Sequence, residues 1–324
     1  MARRALFAAS FRRSLKALTR ATQAGIKAAT KKLPAPRGAR SSPRAIAGMA
    51  LGVTGGRRYR LFKPPGARRS APLPLIVLLH GCSQDAATIA RSARICSLAA
   101  REGFIVLCPE QDRLANAQGC WNWFEWRSGR ALSEAASIVA AIDEACVRHG
   151  ADRDRVAVAG LSAGASMAAV LGSRYPQRFR AVAMHSGVAP GAAQSAATAL
   201  RAMQGHAKPH ALPTGTALPP LLVIQGSADA IVAPRNGHTA AQWWADAAHA
   251  IPGATRTVQR GQRHAMQLTD FRAGARTVAT LCEVDGLGHA WSGGASGQSF
   301  SDPKGPDATR MIWAFATTAF KARA

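Results

Sequence analysis

The stretch Gly160-Leu161-Ser162-Ala163-Gly164 constrains this chain more than any other. It follows the apolar segment Val156 to Ala159 and precedes Ala165 to Leu171, a run that reads as helix. A strand that turns sharply into a helix at Gly-x-Ser-x-Gly holds the serine in a strained backbone conformation. Both glycines are required because strand and helix pass too close for side chains. The hydroxyl then stands exposed at the carboxyl end of a strand. The alternative is a glycine-rich turn with a spectator serine. What separates the two readings is whether the chain also supplies a base, an orienting acid and oxyanion donors.

The surrounding pattern supplies the sheet such a turn needs. Leu75 to Leu79 is continuously apolar, as in a parallel strand buried on both faces, and ends in His80-Gly81-Cys82. A helix from about Asp85 to Arg101, a strand Phe104 to Leu107, a Trp-rich loop and a helix Leu132 to Arg148 lead to the strand before Ser162. Further strands are expected at Ala181 to Met184 and Leu221 to Ile224, then a helix Gly237 to Ala250 and a hairpin of His264 to Phe271 with Arg276 to Val284. A helix from about Ala308 to Phe320 closes the chain. Alternating strands and helices predict an α/β doubly wound, mostly parallel sheet with helices on both faces, in one catalytic domain over 44–324. The first strand is expected near Arg57 to Lys63, as a half-exposed edge.

Charge is unevenly spread. Of 42 basic residues, 18 fall in the first 84 positions, where none of the 17 acidic residues lies. Residues 1–43 therefore read as a basic, flexible extension. Phe7, Phe11, Leu15 and Leu18 fall at helical spacing among its arginines and lysines, which suits an anionic surface. It carries no interleaved stacking aromatics, so nucleic acid is not an expected partner. No stretch is apolar enough to span a bilayer, and no uninterrupted secretory core is visible. Six scattered cysteines form no Cys-x-x-Cys pair or His/Cys cluster, so no metal is expected.

Each polar candidate follows an expected strand, where an open α/β sheet places its site. Ser162, Asp229 and His289 occur in the order nucleophile, acid, histidine of an α/β-hydrolase. His289 would act as general base, and Asp229 would orient its imidazole. Asp285 is too near His289 in sequence to orient it, Asp246 sits mid-helix, and His80 belongs to the loop after an early strand. The oxyanion donors would be the backbone N–H groups of Ala163 and Cys82. Trp121 and Trp123, in an aromatic loop on the same edge, and Trp291, two residues after the histidine, are expected to line an apolar pocket. Cys82 and Cys120 both fall at the site edge. In an oxidising compartment a disulfide between them would hold the aromatic loop against the oxyanion donor.

Leu78-Leu79-His80-Gly81-Cys82-Ser83-Gln84, Cys120-Trp121-Asn122-Trp123, Gly160 to Gly164, His185-Ser186-Gly187, Gly226-Ser227-Ala228-Asp229 and Gly286 to Trp291 resemble the blocks of the polyhydroxybutyrate depolymerase family of esterases. The resemblance covers about Arg57 to Phe320. It implies a cofactor-free serine hydrolase of short-chain polyhydroxyalkanoate esters, usually exported; a cytoplasmic enzyme held at granules or membranes is the alternative. The family is similar to feruloyl and acetylxylan esterases, which gives the rival substrate class. Gln225 departs from it, standing where a histidine commonly precedes the glycine. No polymer-binding segment is recognised, so the basic extension is the expected means of staying at an interface. A rival of another class makes that extension the functional part and the hydrolase a vestigial scaffold; the full set of nucleophile, base, acid and donors argues against decay.

Overall fold

The apolar run around Leu75 has no polar face to turn outward, and in the computed structural model it lies near the middle of the sheet with both faces covered. The structure describes residues 45–211 and 217–322; the basic extension lies outside them. From the amino end run β1 (Ile46–Gly52), β2 (Gly55–Phe62), β3 (Leu73–Leu79), α1 (Ala86–Ser92), α2 (Ile95–Glu102), β4 (Ile105–Pro109) and α3 (Arg130–His149). Then come β5 (Ala151–Leu161), α4 (Ala163–Arg174), β6 (Ala181–His185), α5 (Ala196–Met203), β7 (Leu221–Gly226) and α6 (Arg235–Asp246). The rest is β8 (Ile251–Pro252), β9 (Arg256–Val258), β10 (Met266–Ala273), β11 (Arg276–Val284), β12 (Trp291–Ser292), β13 (Ser301–Asp302) and α7 (Ala308–Lys321).

The main sheet has the order β1-β2-β4-β3-β5-β6-β7-β11-β10-β8, with β9 also paired to β10. The neighbours from β4 to β11 are parallel, and β1, β2 and β10 are antiparallel to their neighbours. Successive residues of β3 feed opposite cores. Leu75, Val77 and Leu79 pack with α3, α4 and α6, whereas Ile76 and Leu78 pack with α1, α2 and α7. That two-sided burial is why the strand reads as an unbroken apolar run.

Two expectations need correction. The edge strand is β1, and β2 lies one place inside it. In Ile46–Gly52 only Ala50 is buried, so the strand carries almost no hydrophobic signal. The single helix expected from Asp85 to Arg101 is two helices, broken at Arg94, whose φ is 53°. Contacts remote in sequence hold the break: Thr309 Oγ1 donates to the Ala93 carbonyl at 2.6 Å, and the Arg94 guanidinium donates to the Gly293 carbonyl.

Candidate active site

Ser162 joins β5 to α4 with φ 57° and ψ −121°, a conformation L-residues rarely adopt. The glycines beside it explain how the chain tolerates this. A Cβ on Gly160 would lie 2.3 Å from the Gly164 carbonyl, and one on Gly164 would lie 2.4 Å from the Leu79 carbonyl oxygen. The strand, the helix and the end of β3 are therefore in backbone contact. The Ser162 N–H donates to the His185 carbonyl at 2.9 Å, which fixes the turn against the end of β6.

Asp229 and His289 follow β7 and β11, neighbouring parallel strands that deliver them to the same edge of the sheet as Ser162. His289 Nδ1 and Asp229 Oδ2 are 2.8 Å apart. The other carboxylate oxygen accepts the N–H groups of Ile231 and Val232 at 2.9 and 2.8 Å. Burial alone would raise the Asp229 pKa. The hydrogen bond and charge of His289, with those two backbone donors, outweigh it and hold the acid below the usual carboxylate range. Gln225 adds a donor sequence reasoning had not assigned: its Nε2 lies 3.2 Å from Asp229 Oδ2 and 3.1 Å from the Val232 carbonyl. The two loops are also sewn together, since the Ala228 N–H donates to the Leu287 carbonyl and the Gly286 N–H to Ser227 Oγ.

Ser162, His289, Cys82 and Phe300 line one small cavity of about 50 Å³. A cleft of about 360 Å³ meets it at Ser162, Cys82 and Met203 and is walled by Trp123, Phe124 and Val188. Cys82 and Ala163 both border the cleft, and among the described residues neither N–H donates to another group of the chain. Ala163 opens α4, so its N–H has no partner within the helix. A disulfide joins Cys82 to Cys120 and ties the loop after β3 to the aromatic loop.

Of the three tryptophans expected at the pocket, only Trp123 borders the cleft. Trp121 and Trp291 are fully buried, each with its indole N–H committed, to the His80 carbonyl and to Thr309 Oγ1 respectively. They support the loops and do not line the pocket. Trp291 stacks on His185, whose Nε2 accepts the Ser292 N–H at 3.0 Å, so His185 braces the segment that follows His289. Burial pushes the His185 pKa down to about 3 and that of His80 to about 4. Both rings are therefore neutral, and each acts as a fixed acceptor. His80 takes the Gln111 N–H at 3.1 Å.

Gln111 opens a buried polar cluster that sequence reasoning missed. Its Nε2 donates to Glu134 and to the Cys120 carbonyl, while its Oε1 accepts from Arg57. Glu134 also takes both the backbone and the side-chain N–H of Asn122. A lone carboxylate one turn before Ile138 on an apolar helix face was the available signal.

The family model described as Esterase PHB depolymerase matches residues 57–243. Poly(3-hydroxyalkanoate) depolymerase C of Paucimonas lemoignei is 38% identical over 129 residues, 40% of this chain and 31% of that protein. Feruloyl esterase B of Neurospora crassa is 34% identical over 125 residues, 39% of this chain and 42% of that protein. The chain thus spans less than half the length of these two relatives. Among solved structures, an acetyl xylan esterase from Aspergillus awamori superposes with a TM-score of 0.59 at 20% identity, over 75% of this chain and 94% of that one. That likeness shows the fold, which is the α/β-hydrolase fold. With the match to the family model covering more than half of its length, the chain belongs to the esterase PHB depolymerase family.

Proposed function

We propose that this protein is a serine esterase that hydrolyses carboxylic esters, poly(3-hydroxybutyrate) or its oligomers first among them, through an acyl-enzyme intermediate. The observation that carries the reading is that His289, paired with Asp229, lines one cavity with Ser162 at the mouth of a largely apolar cleft. With Nδ1–H donated to Asp229, His289 Nε2 is free to act as base. It takes the Ser162 proton as Oγ attacks the ester carbonyl carbon. The developing oxyanion accepts from the Cys82 and Ala163 N–H groups. Collapse breaks the ester bond, and His289 returns the proton to the leaving alcohol. Water, activated in the same way, releases the acid and restores Ser162.

Trp123, Phe124 and Val188 offer the acyl or alcohol portion an apolar wall, with Arg113, Glu125 and Arg130 also bordering the cleft. The Cys82–Cys120 disulfide favours an oxidising compartment and hence export. The basic extension would hold the enzyme to an anionic surface. A second reading, an esterase of feruloyl or acetyl groups on plant polysaccharide, is favoured by the likeness to the Neurospora feruloyl esterase. Turnover of purified enzyme on 3-hydroxybutyrate oligomers, methyl ferulate and acetylated xylan separates the two. Oligomers should be hydrolysed with the highest kcat/KM; a preference for either plant ester would transfer the assignment to the second reading.

A further inference from the structure

A second cavity, of about 770 Å³, opens away from Ser162 on the face covered by α2 and α7. Five arginines border it. Arg94 and Arg101 flank and end α2, Arg310 lies in the first turn of α7, and Arg260 and Arg263 lie between β9 and β10. The one acid of the lining, Asp307, is already engaged, 3.4 Å from Arg94 and 4.0 Å from Arg310. Arg263 donates to the carbonyls of Pro303 and Gly305. Among the described residues the side chains of Arg101 and Arg260 have no hydrogen-bond or ion-pair partner. Beneath this rim, Leu98, Val258, Met266 and Met311 form an apolar floor.

Two features distinguish the cavity from an ordinary solvated charged face. Such a face interleaves both signs and covers apolar atoms with its own side chains. Here five like charges border one cavity with a single counter-charge, and apolar side chains line it beside them. Every cation is an arginine, whose planar fork of N–H groups matches an oxyanion in pairs. We propose that the cavity binds an anionic amphiphile, with a carboxylate or phosphate head held by the arginines and its aliphatic chain on the floor. The site is independent of the esterase chemistry, because it shares no lining residue with the cavities at Ser162.

Calorimetric titration of the full-length protein with decanoate, decanol and inorganic phosphate tests this, with Ser162→Ala as a background in which hydrolysis plays no part. Decanoate should bind at least tenfold more tightly than decanol or phosphate, and added salt should weaken it. Arg101→Gln/Arg260→Gln should lose about tenfold in decanoate affinity, each exposed charge contributing modestly. Arg94 is left intact because it holds Gly293, in the segment after His289. Met311→Gln, on the floor, should weaken decanoate about threefold and leave phosphate unchanged. Circular dichroism and thermal melting confirm that the variants fold. Titration with the water-soluble dihexanoyl phosphatidylglycerol, which presents no anionic surface to the basic extension, distinguishes the source: binding that the double arginine variant loses assigns a lipid headgroup, and no binding beside weakened decanoate assigns a soluble amphiphile. Equal affinity for decanoate and decanol, or equal decanoate binding by the wild type and the double variant, overturns the proposal.

Discussion

The nucleophile half of the site and the histidine half are held by different forces. Ser162 is fixed by backbone contact, since Gly160 touches Gly164 and Gly164 touches Leu79, and the neighbouring loop after β3 is fastened to the aromatic loop by a covalent bond, Cys82–Cys120. His289 sits on a loop held by hydrogen bonds, to Asp229 directly and through Ser292 to the neutral ring of His185. The two halves should therefore respond differently to damage. Close packing cannot relax around an added atom, so the first half should fail as folding. A hydrogen-bonded pair can lose its charge and keep its shape, so the second should fail as turnover.

The largest contrast comes from pairing Gly164→Ala with Asp229→Asn. The alanine Cβ would meet backbone oxygen at 2.4 Å, so the first variant should fail to reach a cooperative native state in thermal melts. Asp229→Asn should melt near the wild-type temperature and lose on the order of 10⁴ in kcat. A well-folded, inactive Gly164→Ala, or an unfolded Asp229→Asn, would break the distinction.

Next in size is the disulfide. Replacing both Cys82 and Cys120 by serine opens a link between residues 38 positions apart. It should lower stability by about 3 kcal/mol in denaturant unfolding and raise KM more than it lowers kcat, because the cleft wall loosens while the base stays in place. Unchanged stability would mean that the buried bonds of Gln111 and Glu134 hold the loop unaided.

The smallest effect is a pH slope. His80 and His185 are held neutral with pKa values of about 4 and about 3, below the ordinary value of about 6.5. As pH falls below 6.5 the unfolded chain takes up two protons that the native state refuses. Stability is therefore full above that value and declines as pH falls toward 4. His185→Gln should flatten the slope of unfolding free energy between pH 6 and 4 by about 1.4 kcal/mol per pH unit. A slope equal to that of the wild type would show that His185 titrates normally in the folded protein.

What was legible in the sequence follows the same division. The turn at Ser162 can be read because its constraint is local: two glycines and a serine in five residues admit few conformations. Asp229 and His289 could be placed because each follows an apolar run recognisable as a strand. The strand β1 was not recognised as such, since it buries only Ala50. Arg57 was passed over although it shares the parity of Tyr59 and Leu61, and its guanidinium is buried against Ser137 and Gln111. The burial of Trp121 and Trp291 depends on partners 41 and 18 residues away in sequence, His80 and Thr309. Contacts of that kind leave no periodic trace. The break at Arg94 is hidden for the same reason, because residues some 200 positions away hold it.

As the proposed nucleophile, Ser162 depends on His289 and Asp229 for its reactivity. Treatment of wild type, Ser162→Ala and Asp229→Asn with a fluorophosphonate, followed by peptide mass mapping, tests it most directly. Attack by the serine oxygen on phosphorus expels fluoride and leaves a stable adduct. Labelling should be rapid and stoichiometric on the peptide that carries Ser162, absent from Ser162→Ala, and slowed by several orders of magnitude in Asp229→Asn. Rapid labelling of Ser162→Ala at another serine, or an Asp229→Asn rate equal to that of the wild type, would contradict it.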